Sequence, residues 1–138
     1  MGNLSDIMGG IKTVLEANVT DLKVHKYLPG RVNHYPSTLL IPDGLVLDPE
    51  QAFGGTSFKF EFRLRTFVSS NDDETGWTQL VEMMDPSVAN KSIIKAIRVD
   101  PTLDGKADSA GILRLENVQH SDLGFSFDAI LEGYKSVA

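Results

Sequence analysis

The chain contains no cysteine. That excludes a disulfide framework and thiolate chemistry, and it fits a reducing cytosol. Basic residues are also scarce: 13 Lys and Arg stand against 19 Asp and Glu, a formal charge of −6. Nonspecific DNA binding depends on Lys and Arg neutralising phosphates, so the balance argues against it. It suits solubility, or a partner with a basic face. No apolar run reaches the length of a membrane-spanning helix. The segment Met1–Asp6 has neither the basic region nor the apolar core of a signal peptide, and Asp6 occupies the position where myristoylation wants Ser or Thr.

Residues that carry chemistry are equally sparse. The three histidines, His25, His34 and His120, never stand three or four residues apart, so no helical metal pair exists. Asp100, Asp104 and Asp108 are spaced four apart. A calcium loop needs oxygen ligands two apart and a later bidentate Glu. Gly-x-Ser-x-Gly elbows and Walker-type phosphate loops are missing as well. The expectation is a protein that is not an enzyme, with no catalytic, cofactor-binding or metal-ligating residue.

What is present describes an ordinary folding domain. With 138 residues and 41% hydrophobic content, the chain reads as one domain spanning 1–138 that can bury about two-thirds of its unfolded surface. Leu4, Ile7, Met8, Ile11, Val14 and Leu15 recur at helical spacing, with Gly9-Gly10 as a weak point costing about 1 kcal/mol per glycine. A short strand is expected at Lys23–Tyr27. Thr38–Ile41 reads as a strand ended or bulged at Pro42-Asp43-Gly44, with Leu45–Leu47 able to continue it.

The clearest strand is Phe58–Val68. It alternates Phe58, Phe60, Phe62, Leu64, Thr66 and Val68 with Lys59, Glu61, Arg63, Arg65 and Phe67. A polar stretch, Ser69–Glu74, then caps a helix with the stripe Trp77, Leu80, Val81 and Met84, which Asp85-Pro86 ends. A second helix runs from about Val88 to Val99. The segment Asp100–Ser109 reads as a turn, because Pro and Gly punctuate and Asp satisfies local backbone. Strands follow at about Gly111–Gln119 and Gly124–Lys135. This segregation of strands and helices predicts an α+β fold: a mostly antiparallel sheet of four to five strands with helices packed on one face.

The charged face Lys59, Glu61, Arg63, Arg65, joined by Phe67, admits two readings. It is a solvated strand face, or it is a subunit interface in which mixed charges set register and orientation.

Several of these pieces, in order, resemble the tail terminator proteins of long-tailed phages of actinobacterial type. The pieces are the stripe Ile7–Leu15 followed by Glu16-Ala17-Asn18, then Tyr27-Leu28-Pro29-Gly30-Arg31-Val32, the strand with Pro42-Asp43, the alternating Phe58–Val68 and the cap Asn71-Asp72-Asp73. The resemblance is strongest in Ser92–Ile97, followed by Asp100-Pro101-Thr102-Leu103-Asp104-Gly105 and Asp108-Ser109-Ala110, and it ends in Gly124–Tyr134. His34-Tyr35 and the loop Leu45–Gly55 depart from it.

The resemblance implies a structural virion protein, made in the host cytoplasm, with no cofactor and no membrane. Its copies would form a ring, usually a hexamer, on the last ring of the tail tube protein. That ring would stop polymerisation and present a surface to the head-side neck protein, while DNA passes through without specific binding. Subunit contacts are then expected at Lys59, Glu61, Arg63, Arg65 and Phe67, and tube contacts in a loop containing Asp48, Glu50, Gln51 and Phe53. Charge reversal at Arg63 or Arg65 is expected to block ring formation and leave the monomer folded. The competing readings are a head-tail stopper, a small carboxylate enzyme and a generic protein-binding module.

Overall fold

The computed structural model describes residues 4–26, 36–47, 58–68, 73–121 and 124–136. Its elements, in chain order, are α1 (Leu4–Asn18), β1 (Lys23–His25), β2 (Ser37–Leu47), β3 (Phe58–Val68), α2 (Asp73–Met84), α3 (Ile93–Val99), β4 (Ser109–Ser121) and β5 (Gly124–Lys135). The five strands form one sheet in the order β1-β2-β3-β5-β4. The β1–β2 pair is parallel and every other pair is antiparallel. The fold is therefore α+β with a mostly antiparallel sheet.

Alternation in β3 decides which face is core. Phe60, Phe62, Leu64 and Val68 are buried among helix residues. Across the register stand Gly133, Leu131, Ala129 and Phe125 of β5. Large and small groups interlock here: a Cβ at Gly133 would lie 2.3 Å from the Phe60 ring. The Phe60 and Phe62 rings meet edge to face at 5.8 Å, a favourable aromatic geometry. Thr38 and Thr66, opposite each other and fully buried, satisfy one another through a 2.8 Å hydroxyl–hydroxyl bond. Pro42 and Gly44 bracket a bulge in β2, so the strand bends there without ending.

The stripe of α1 buries Ile7, Ile11, Val14 and Leu15. Gly10 lies in that buried face, where a Cβ would fall 2.1 Å from the Leu103 carbonyl oxygen. The glycine that weakens α1 by propensity is thus the position where the backbone of another segment must approach. Near its C-terminus, α1 also covers one sheet edge. Glu16 accepts the Val24 N–H at 2.9 Å, Lys12 donates to the Val24 carbonyl at 3.0 Å, and the two side chains pair at 2.7 Å. Those are the outward backbone groups of edge strand β1, which would otherwise template another strand. Burial pushes the Glu16 carboxyl up, but the bonds from Lys12 and Val24 outweigh it and the net direction is down.

Two helices differ from expectation. α3 begins at Ile93, not near Val88, because Ser92 caps it by accepting the Lys95 N–H at 3.1 Å. α2 turns a different face to the sheet. Gly76, Leu80 and Met83 are buried, whereas Trp77 is 51% and Val81 45% exposed. Only Leu80 of the expected stripe is fully buried. The Trp77 ring instead packs edge-on against Phe125 at the end of β5, with centroids 5.8 Å apart.

The segment after α3 is a built turn. The Asp100 carboxylate accepts from the Thr102 hydroxyl at 2.7 Å, the Thr102 N–H at 3.2 Å and the Asp104 N–H at 3.1 Å. Leu103, Asp104 and Gly105 all have positive φ, at 52°, 60° and 77°. This left-handed turn drives Leu103 to full burial beneath α1.

Candidate functional site

The sheet face without core packing carries the charged residues, and the structure brings them together with partners from β5 and β4. Opposite Arg65 stands Asp128, and opposite Arg63 stands Ile130. Glu116 of β4 also pairs with Asp128. The Asp128 side chain, only 2% exposed, is the hub. It accepts from Arg63 Nη1 at 2.9 Å, from Arg65 Nε and Nη2 at 2.9 and 3.2 Å, and from Asn117 Nδ2 at 3.0 Å. Arg63 reaches Glu116 at 3.1 Å and Asp43 at 3.7 Å, and Arg114 reaches Glu116 at 3.5 Å. Three guanidiniums therefore face three carboxylates, and the cluster is formally neutral.

Burial pushes the Asp128 carboxyl up, yet the bonds from Arg65, Asn117 and Arg63 together hold it below its ordinary value. The same bonds raise both guanidiniums, that from Asp128 being the largest cause at each. Asn117 joins the cluster with a positive φ of 56° beside a register shift in β4. The bulge is what aims its amide at Asp128. Arginine stems cover apolar surface, and Ile130, between Arg63 and Arg114 in the register, is fully buried.

This arrangement sorts the residues singled out in the sequence. Arg63 and Arg65 are committed to partners within the chain, so charge reversal at either would set a carboxylate against buried Asp128. Such a change strikes the fold as well as any surface, contrary to the expectation of an intact monomer. Phe67 is only 7% exposed and adds no apolar area to the face. Lys59 pairs with Glu132 at 3.1 Å while its side chain stays 48% exposed. Glu61 is half-buried opposite Glu132. Asp48, Glu50, Gln51 and Phe53 lie outside the described residues. The hub Asp128, its donor Asn117 and the neighbouring Glu116, which pairs with Arg63 and Arg114, were not singled out from sequence. The signal was the polar alternation of β5, which gains meaning only once β5 is placed beside β3.

The histidines His25 and His120 fall on the two edge strands, and His34 lies outside the described residues. Among the described residues, no three His, Asp or Glu side chains gather as a metal site would require. No helix there is long and apolar enough to cross a membrane. The arrangement offers ion pairing and surface shape.

No protein-family model matches the chain, and no curated protein matches it.

Proposed function

We propose that the chain is a virion neck protein that caps the phage tail tube, stops its polymerisation and offers a joining surface to the head-side neck protein. The observation that carries this reading is the ordered run of short motifs closing on Ser92–Ile97 and Asp100–Ala110. Two of those motifs, far apart in sequence, share a contact: the Leu103 carbonyl sits on Gly10 of the N-terminal stripe. A common packing reason supports reading them as one pattern.

A growing tube end is a heterologous interface that does not close by itself. Its cap must match the tube on one face and refuse a further tube subunit on the other. A layer with helices on one side and a charge-paired sheet on the other supplies two unlike faces. Continuation of the sheet from subunit to subunit is disfavoured. The β1 edge is clamped by Lys12 and Glu16, and β4 is bulged at two places, which spoils register for an added strand. The ring contacts are instead assigned to side chains around Lys59, Glu61 and Arg65. An acidic ring also lets DNA slide through a channel without sticking.

The test is negative-stain microscopy of purified protein mixed with tail tubes. Rings at one tube end, with no further elongation on adding tube protein, are the expected result. Tubes that stay bare and keep growing would refute the reading. Binding to a head-side neck complex but not to tubes would make the protein a stopper.

A further inference from the structure

Beyond the charged face, the described surface carries an apolar trough. Trp77, Leu80, Val81, Met84 and Asp85 of the α2 region and Val118 of β4 line a volume of about 340 Å³. Trp77, Val81 and Val118 are 51%, 45% and 45% exposed. The indole is held in place: it packs edge-on against Phe125, which His120 stacks upon at 4.4 Å. A fixed aromatic beside two exposed aliphatic groups resembles the anchor pockets at the centre of protein interfaces.

Charge says what kind of partner fits. The lining holds one anion, Asp85, and no cation. The Asp85 carboxylate is kept ionised by the Ser87 hydroxyl at 2.7 Å and the Ser87 N–H at 2.9 Å. The sequence of α2 contains acidic residues and no Lys or Arg. Its C-terminal carbonyls therefore add negative potential that no basic residue in the last turn offsets. The trough is thus apolar along its length and negative at one end. A second copy would bring the same acidic helix, so self-docking through α2 sets like charges together.

We propose that this trough docks a segment of a partner protein that presents apolar side chains flanked by Lys or Arg. The apolar groups rest on Trp77, Val81 and Val118, and the cation lies at the Asp85 end. The inference stands on this surface alone and does not require the tail reading.

The chain has one tryptophan, so intrinsic fluorescence reports on the trough. The probe is a synthetic amphipathic peptide with leucines at helical spacing and lysines beside them, fluorescein-labelled for anisotropy. It should bind saturably and shift Trp77 emission to the blue. The same peptide with Glu in place of Lys should bind at least about tenfold more weakly, as should the Lys peptide to Val81→Asp or Val118→Asp. Asp85→Lys should narrow or reverse the preference between the peptides. Both valines are half-exposed, so melting curves should confirm that the variants stay folded.

Equal binding of the Lys and Glu peptides overturns the proposal, as does undiminished binding by both valine variants, or no saturable binding. Trp77 equally protected from acrylamide with and without peptide also overturns it, since another part of the chain would then cover the trough. Self-association in sedimentation that Val81→Asp abolishes would overturn it in favour of a second copy.

Discussion

The buried carboxylate at the centre of the charged face gives the sharpest test of the fold. Replacing Asp128 by Asn keeps the side-chain shape and removes the charge that Arg63 and Arg65 share. Removing one partner of a buried ion pair costs about 3–5 kcal/mol. Here the Arg65 and Arg63 side chains are 40% and 21% exposed, and Arg63 keeps Glu116 and Asp43. Solvent and the remaining carboxylates reduce the loss, and about 2–3 kcal/mol is expected. Unfolding entropy of about 2.1 cal/mol/K per residue, over 138 residues, gives about 290 cal/mol/K. The midpoint of thermal unfolding should therefore drop by about 7–10 °C.

The pH dependence separates charge from packing. Hydrogen bonds hold the folded Asp128 carboxyl below its unfolded value despite burial. An unfolded Asp titrates near about 3.9. In the window below that value the unfolded chain binds more protons, so the contribution of Asp128 is complete above about pH 4 and is lost as pH falls through the folded pKa. Melts followed by circular dichroism should show the widest gap between wild type and Asp128→Asn near neutrality, closing as pH falls below about 4. Equal midpoints at pH 7 would refute the reasoning. So would a gap that stays the same in strong acid, since it would then owe nothing to charge.

Other expectations follow from close contacts. Gly10→Ala forces a Cβ against the Leu103 carbonyl and should cost at least about 2 kcal/mol in urea unfolding. Gly9→Ala, whose nearest neighbour would be the Lys26 ammonium at 3.8 Å, should stabilise by up to about 1 kcal/mol; similar effects at both sites would remove the packing argument. Thr66→Val strands the buried Thr38 hydroxyl and should cost about 1–3 kcal/mol, whereas the double change Thr38→Val with Thr66→Val should recover most of that loss in the same assay. Leu103→Ala should cost about 2–4 kcal/mol, because it empties a fully buried anchor; an unchanged denaturation midpoint would show that the turn is not anchored there.

Much of the fold was legible because β3 alternates without interruption: its expected bounds, Phe58–Val68, are those observed. The bulge in β2 was legible from Pro42 and Gly44. The face of α2 was not. Trp77, Leu80, Val81 and Met84 satisfy the helical period, but so do Gly76, Leu80 and Met83, one residue around the helix. Hydrophobicity favours the first set, whereas packing selects the second because Trp77 finds Phe125 at the end of the sheet. The charged face was half legible. Arg63 and Arg65 stand out on β3, but their partner Asp128 lies 65 and 63 residues away. Nothing local states that β5 pairs with β3, so an internal ion-pair cluster looked like an open surface.

The Asp100–Ser109 turn shows where recognition and function part. A non-glycine residue in the left-handed region costs about 1–2 kcal/mol, and Leu103 and Asp104 both adopt it. Burying one leucine is worth about 1.5–3 kcal/mol, which offsets much of that strain, and the Asp100 carboxylate fixes the backbone that delivers it. Four letters of the motif then have a local duty. Asp100 holds the turn, the Thr102 hydroxyl accepts the Gly105 N–H at 3.3 Å, Leu103 anchors it, and Gly105 takes a φ of 77°. Gly10 answers from α1 by leaving room for the Leu103 carbonyl. A sequence pattern spent on packing marks the folding unit, and the side chains that would make its contacts lie elsewhere on the surface. Partner choice must then be encoded in residues that still reach the surface, and on the described surface these include the half-exposed arms of Lys59 and Arg65 and the Trp77–Val81–Val118 trough.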